Sequence, residues 1–296
     1  MTSTLFPGLL FLLASPLAWA QAAGTSTAPP IEPGTERSAD ADAGPPPLWT
    51  AGLFLVAGDH AAYPGSDRQV QSGTVLPFVT WRGPVFRVEG GGAGLRALRT
   101  PRYELDMSAS ASFGSDGQDT GARAGMPAIG TLVEFGPSLR INLGSLDDSG
   151  KRPPWRLDLP LRAVFDADRD FDHGGLSFEP RLSWRLPALA GGSPALHAAA
   201  LFGNRTLNAM YYGVAPAYAT PSRPAYEAKG GLVATRVGAS WSRMVMPHVR
   251  LGLHAGLESV RGAANEDSPL VRKSLNHTLA LTLTWTALRS ATSGVE

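Results

Sequence analysis

A two-residue alternation runs through most of this chain and restricts its fold more than any other feature. In residues 275–285 the odd positions are Leu275, His277, Leu279, Leu281, Leu283 and Trp285, and the even positions are Asn276, Thr278, Ala280, Thr282 and Thr284. Residues 155–165 set Trp155, Leu157, Leu159, Leu161, Ala163 and Phe165 against Arg156, Asp158 and Arg162. Residues 176–186 oppose Leu176, Phe178, Leu182, Trp184 and Leu186 to Ser177, Glu179, Arg181, Ser183 and Arg185. Residues 103–113 and 249–258 repeat the arrangement, with Glu104, Asp106, Arg250, His254 and Glu258 on the polar side. Successive residues of a strand point to opposite faces, so each segment is half apolar and half polar.

Alternation alone fits two architectures. In a soluble sandwich the apolar faces share a core, whereas in a membrane barrel they face lipid and the charges face the lumen. Segment length favours the second. Strands are expected at 48–57, 68–82, 84–95, 101–113, 129–143, 154–166, 174–187, 194–206, 230–243, 247–260 and 273–287. Most reach the roughly 9 to 11 residues that cross a bilayer at a tilt, against the usual five or six of soluble sheets. These make an odd number, and bacterial barrels are normally even. Placing the short connections 82–84, 144–153, 187–194 and 243–247 on one side requires a further strand before residue 129, and the glycines at 90–94 mark where two are merged. The expected fold is an all-β transmembrane antiparallel barrel of about twelve strands. Trp49 and Trp155 open their segments, while Trp81, Trp184, Trp241 and Trp285 close theirs. With a periplasmic start these six ends share one side, as an interface girdle.

Composition removes other classes. With 17% charged residues and a net charge of +1, the chain lacks the charge excess of a disordered protein or the basic footprint of a nucleic-acid binder. Without Cys it has no disulfide or thiolate chemistry. A mean hydropathy of -0.05 is too low for a helical membrane bundle. Residues 1–20 read as a signal peptide, with an apolar stretch and a small-x-small end at Ala18, Trp19 and Ala20, though its first residues carry no Lys or Arg. Residues 21–47, rich in Ala, Gly, Thr and Pro, read as a flexible periplasmic linker. The barrel is expected over 48–288 and a short tail over 289–296.

Three stretches resemble one family. Ala62, Tyr63, Pro64, Gly65, Ser66, Asp67 and Arg68, followed by Val75, Leu76, Pro77, Phe78, Trp81 and Arg82, resemble the opening hairpin of MipA/OmpV proteins. Met210, Tyr211, Tyr212, Gly213, Val214 and Pro216, with Ser222, Pro224, Ala225 and Tyr226, are similar to that family's tyrosine-rich outer loop. Glu266, Asp267, Ser268, Pro269, Leu270, Val271 and Arg272, leading into Ser274 and Asn276, resemble its acidic turn before the final strand. Two features depart from the family pattern: residues follow Trp285 where members commonly end on an aromatic, and the Gly-Leu-Gly-Asp-Ile-Asp-like segment has become Gly125, Met126, Pro127, Ala128, Ile129 and Gly130. The resemblance implies an outer-membrane protein of a Gram-negative bacterium, inserted by the barrel-assembly machinery and in contact with outer-membrane lipid. It also implies a scaffold, as for a family member that holds a lytic murein transglycosylase near a murein synthase. Other members are described as porin-like.

Chemistry is sparse. No nucleophile-elbow, zinc-helix, phosphate-loop or dinucleotide motif occurs, and the six His show no metal-ligand spacing, so no cofactor or metal is expected. His60 with Asp59 and Asp67, or His173 with Asp170 and Asp172, are the pairs that would serve a rim hydrolase of lipid or peptide. The lumen candidates are Glu104, Asp106, Glu134, Arg140, Arg156, Asp158, Arg162, Glu179, Arg181, Arg185, Arg250, His254 and Glu258. Their mixed signs predict a closed network, with a narrow solute channel as the alternative.

Overall fold

The structure, a computed structural model, describes residues 47–82, 86–89, 92–95, 98–100, 102–112, 121–144 and 154–293. The expected signal segment and nearly all of the linker lie outside them. One antiparallel sheet contains β1 (Trp49–Ala61), β2 (Gln69–Arg82), β3 (Phe86–Glu89), β4 (Gly92–Leu95), β5 (Leu98–Arg99), β6 (Tyr103–Ser112) and β7 (Leu132–Leu143). It continues through β8 (Trp155–Asp166), β9 (Asp172–Phe178), β10 (Arg181–Arg185), β11 (Ser193–Gly203), β12 (Gly231–Met246), β13 (Val249–Ser259) and β14 (Leu275–Arg289).

The sheet returns on itself. The first strand pairs with the last from Thr50 opposite Arg289 to Asp59 opposite Leu279. The two ends of the hydrogen-bonded path, β4 and β5, are successive pieces of chain, and β4 also lies against β6. The result is a barrel. β4 with β5, and β9 with β10, are each one traverse with an interruption, so the fourteen strands make twelve traverses. The extra pair falls at the glycine cluster, where β3 meets β4 from Phe86 opposite Leu95 to Glu89 opposite Gly92.

Particular residues set the boundaries. Pro180 has no N–H to give to a ladder, and it interrupts β9 and β10; Glu179 N–H reaches Pro160 O at 3.3 Å and Ala200 N–H reaches Pro180 O at 3.2 Å. The strand expected to run through residue 206 stops at Gly203. Asn204 instead caps helix α1 (Arg205–Tyr212), its Oδ1 accepting from Leu207 N at 3.0 Å and from Leu176 N at 3.1 Å. β1 and β12 run longer than expected, to Ala61 and Met246. Past the last strand, Ser290 N–H donates to Trp49 O at 2.9 Å and Leu48 N–H to Thr292 O at 2.8 Å, so residues 290–292 stay along β1.

Burial divides each strand by face. Leu279, Leu281, Leu253, Leu257, Val237 and Leu161 are exposed on the outer surface, although they are large and apolar. The buried hydrophobic cluster lies at the end of the barrel opposite Trp49 and Arg289, and it includes Tyr63, Leu132, Val164, Leu201, Leu207, Tyr211, Tyr212, Val233, Val260 and Leu270. These two ends are called the loop end and the terminal rim below.

Candidate functional site

The interior carries a ladder of ion pairs, built by strand register. Arg140 on β7 stands opposite Asp158 on β8, and the Asp158 carboxylate takes Arg140 at 3.7 Å and Arg156 at 2.9 Å. Glu134 takes Arg162 at 3.7 Å and the Ser177 hydroxyl at 3.0 Å. Glu179, at the interruption before β10, accepts from Arg181 at 2.6 Å and from Arg236 at 2.7 Å. Arg236 on β12 also reaches Glu258, its register partner on β13, at 2.8 Å. Beside it the rings of His197 and His254 stack with centroids 5.0 Å apart. Glu179, Arg181, His197, Arg236, His254 and Glu258 line part of a partly open pocket of about 20 Å³.

Glu104 faces Arg140 across the β6–β7 register. Arg185 and Arg250 occupy inward positions on β10 and β13, nearer the terminal rim. Asp106 lies on β6, on the same alternation as Glu104. Arg236, the hub of the ladder, is absent from the sequence-based set although the same signal marks it: it alternates with Val237, Ala239 and Trp241 on a strand whose pattern is diluted by Gly238 and small Ser residues.

At the loop end the three stretches that carry the family resemblance converge from far apart in sequence. Tyr63 OH donates to Leu270 O at 2.8 Å, and Asn276 binds the Gly65–Ser66 turn through Gly65 N–H at 3.3 Å and Ser66 O at 2.8 Å. The Ser268 hydroxyl donates to Tyr212 O at 2.8 Å, and Pro269 follows in the same turn. Tyr226 OH donates to Asp267 Oδ1 at 2.6 Å. Asp67 Oδ1 lies 3.5 Å from where a Cβ on Gly121 would be. Tyr211 and Tyr212, expected in a loop, sit buried on α1, which turns inward over the barrel. Gly65 has φ +87° against Val271, and Gly213 packs on Ala209 O so closely that a Cβ would lie 2.7 Å away; neither position accepts a side chain without rearrangement.

Two buried arginines hold this plug. Arg123 donates to Met210 O and Tyr211 O at 3.1 Å each and to Pro127 O at 3.0 Å, with its guanidinium 5.8 Å from the centre of the Tyr63 ring. Arg223 donates to Ala122 O at 2.9 Å, Ala124 O at 2.8 Å and Tyr218 O at 2.8 Å. Both sit in segments without periodicity, so no sequence signal singles them out. Burial pushes the Tyr63 hydroxyl up to about 12 and raises Tyr211 and Tyr212 as well, and it pulls Arg123 below its ordinary value. The Tyr226 hydroxyl is pushed up to about 12, by burial and by its bond to Asp267.

The residues of the two candidate hydrolase pairs lie in strands and turns at the loop end. His60 is buried, with Nδ1 2.8 Å from Ala61 O, while Asp59, its neighbour on the opposite face, reaches His277 Nε2 at 3.2 Å. His173 packs edge-on to Phe165. The six Trp positions share the terminal rim: Trp49 stands opposite Trp81, Trp155 stacks on Trp184 at 5.0 Å, Trp241 Nε1 donates to Leu189 O at 2.9 Å and Trp285 pairs with Val249.

An apolar outer belt, an ion-paired interior and a closed sheet with no free edge along the pairing of first and last strands define a membrane-spanning β-barrel. Residues 52–287 match the family described as MltA-interacting protein MipA, and the chain belongs to that family. No curated protein matches it. Among solved structures it is similar to the NanC porin, with 9% identity, a TM-score of 0.39, and coverage of 79% of this chain and 99% of that one. It is also similar to an outer membrane channel from Pseudomonas putida F1, with 14% identity, a TM-score of 0.39, and coverage of 83% and 98%. A bacterial polysaccharide outer membrane secretin follows at 10% identity and 0.35, covering 81% and 99%.

Proposed function

We propose that this protein is a non-enzymatic outer-membrane barrel that anchors a murein-remodelling enzyme, and not a conduit for solutes. The closure of the loop end carries the reading: three distant stretches are spent on a buried plug held by two arginines. The ion-paired interior supports it, because cross-linked charges brace a barrel. The family description, an MltA-interacting protein, supports a murein-related enzyme as the partner; a lytic transglycosylase, with a murein synthase as a second, is the pair that the family resemblance implies.

The terminal rim, with its six Trp positions, is assigned to the periplasmic interface, where such residues settle at the headgroup level. Residues 21–47 precede β1, and the linker reading of their sequence, taken as part of this proposal, gives them a reach of roughly 30 Å, enough to meet an enzyme working on the wall. Trp285 near the end of β14 is assigned as the aromatic presented to the assembly machinery. In the test, the purified barrel is immobilised in detergent and a soluble lytic transglycosylase is passed over it. Saturable binding is expected, and its absence refutes the scaffold reading.

A further inference from the structure

We infer that residues 29–42, the acidic stretch before β1, fold back through the terminal rim and dock inside the barrel against the arginines of its wall. The docking deepens the scaffold reading and rests on it: an arm held in the lumen is withheld from the murein enzyme.

The lumen has room on this side. Side chains alone fill a barrel of eight strands, and wider barrels enclose a cavity. Here twelve traverses surround inward positions that are small toward the rim, among them Thr50, Gly52, Ser240, Ser242, Gly252 and Thr284, and each keeps part of its surface accessible. Leu76 stands opposite Phe54 on the inward face of β2 and is still 41% exposed, an apolar surface that gains from being covered.

Charge selects the occupant. Among the described side chains, the inward positions nearest the rim include Arg140, Arg156, Arg185 and Arg250, and the acids on the same stretch of wall are Glu104 and Asp158. Asp158 is itself shared by Arg140 and Arg156, so positive charge is in excess. The stretch before β1 carries the opposite sign, with Glu32, Glu36, Asp40 and Asp42 against Arg37. By contrast the loop at 145–153, which joins β7 to β8 at the same rim, is balanced, with Asp147 and Asp148 against Lys151 and Arg152.

The stretch is also tethered where it must enter. Leu48 N–H donates to Thr292 O and Pro47 bridges to Ser293, so the chain joins the barrel at the rim, beside β1. Gly44 and the prolines at 45–47 are residues that turn a chain. In the docked arm Asp42 lies at the mouth, and the residues back to Ile31 span about 34 Å when extended. The level of Leu76, opposite Phe54, is only about 17 Å along β1 from Trp49. Pro29, Pro30, Ile31 and Pro33 then supply the apolar groups that cover it.

Because the chain has no Cys, a designed pair reports docking without background. Ala39→Cys is combined with Ser183→Cys, inward on β10, or with Leu189→Cys, exposed in the turn outside the same rim, and disulfide formation in detergent micelles is followed by gel mobility. Cross-linking to position 183 is expected to be about fivefold faster than to position 189, because docking raises the local concentration of the arm. It should slow about threefold in the Arg185→Gln/Arg250→Gln background, and likewise in 1 M salt, where charges are screened beyond about 3 Å. Equal rates for the two pairs, or an inward rate that neither change slows, overturn the docking. If the arginine variant loses the heat-dependent gel mobility of a folded barrel, the salt series on the native wall decides. Binding of a soluble lytic transglycosylase to the same preparations is measured separately. Preferential cross-linking without that binding refutes the scaffold reading alone, and binding without preferential cross-linking refutes the docking alone.

Discussion

Replacing Arg123 with alanine should loosen the plug without unfolding the barrel. The guanidinium donates three hydrogen bonds, to Met210 O and Tyr211 O, tying the segment at 121–131 to the end of α1, and to Pro127 O within that segment. A hydrogen bond from a charged donor contributes about 1.5–3 kcal/mol. The three share one side chain and the freed carbonyls regain water when the plug opens, so the loss is set at about 3 kcal/mol in total. That corresponds to an increase of roughly a hundredfold in local opening. Hydrogen exchange in detergent is the assay: the amides of Asn208 and Gly213, which bond to Asn204 O and Ala209 O, should lose about two orders of magnitude of protection. The amides along β13 and β14 should stay unchanged. Arg123→Lys, which keeps the charge but not the planar fork, should fall between. Protection in Arg123→Ala within threefold of wild type would refute the claim that this residue holds the plug.

Other outcomes follow from the same geometry. Glu179→Gln leaves Arg181 and Arg236 without their shared carboxylate and should cost about 3–5 kcal/mol in urea unfolding, as breaking a buried pair does; a cost under about 1 kcal/mol would mean that the ladder is dispensable. Leu281→Arg and Leu159→Arg should each cost roughly 2–4 kcal/mol in refolding titrations, and Thr282→Arg, on the inward face, much less. Planar bilayers containing the wild-type protein should carry no single-channel current, and steady conductance would contradict the closed loop end. Tyr63 is held in its neutral form by burial, with its pKa raised to about 12. Its contribution is therefore complete below the unfolded value near 10 and is lost as pH rises through about 12. Tyr63→Phe should flatten that part of the alkaline stability curve.

The faces of the strands were legible in sequence because a period of two leaves no freedom once one side must meet lipid: Leu279, Leu281 and Leu283 could only point one way if Thr278, Ala280 and Thr282 pointed the other. The merged pair near residue 90 came instead from the even strand number and the glycine cluster, and alternation put the lumen candidates on the polar faces. It was weakest where small residues dilute the pattern, which is why Arg236 escaped notice on a strand that also carries Gly238, Ser240 and Ser242. It offered nothing in the loops. That Arg123 and Arg223 would be buried, or that Tyr63, Tyr212 and Ser268 would meet, depends on contacts between residues up to about two hundred positions apart, and no local periodicity encodes those. Alternation and segment length were enough to read the all-β class and which face of each strand is apolar, while the count of twelve needed the even-number rule as well. Which charges pair, and how the loop-end stretches pack together, came from the three-dimensional arrangement, because both depend on register and on loops whose hydrogen bonds are satisfied by distant parts of the chain.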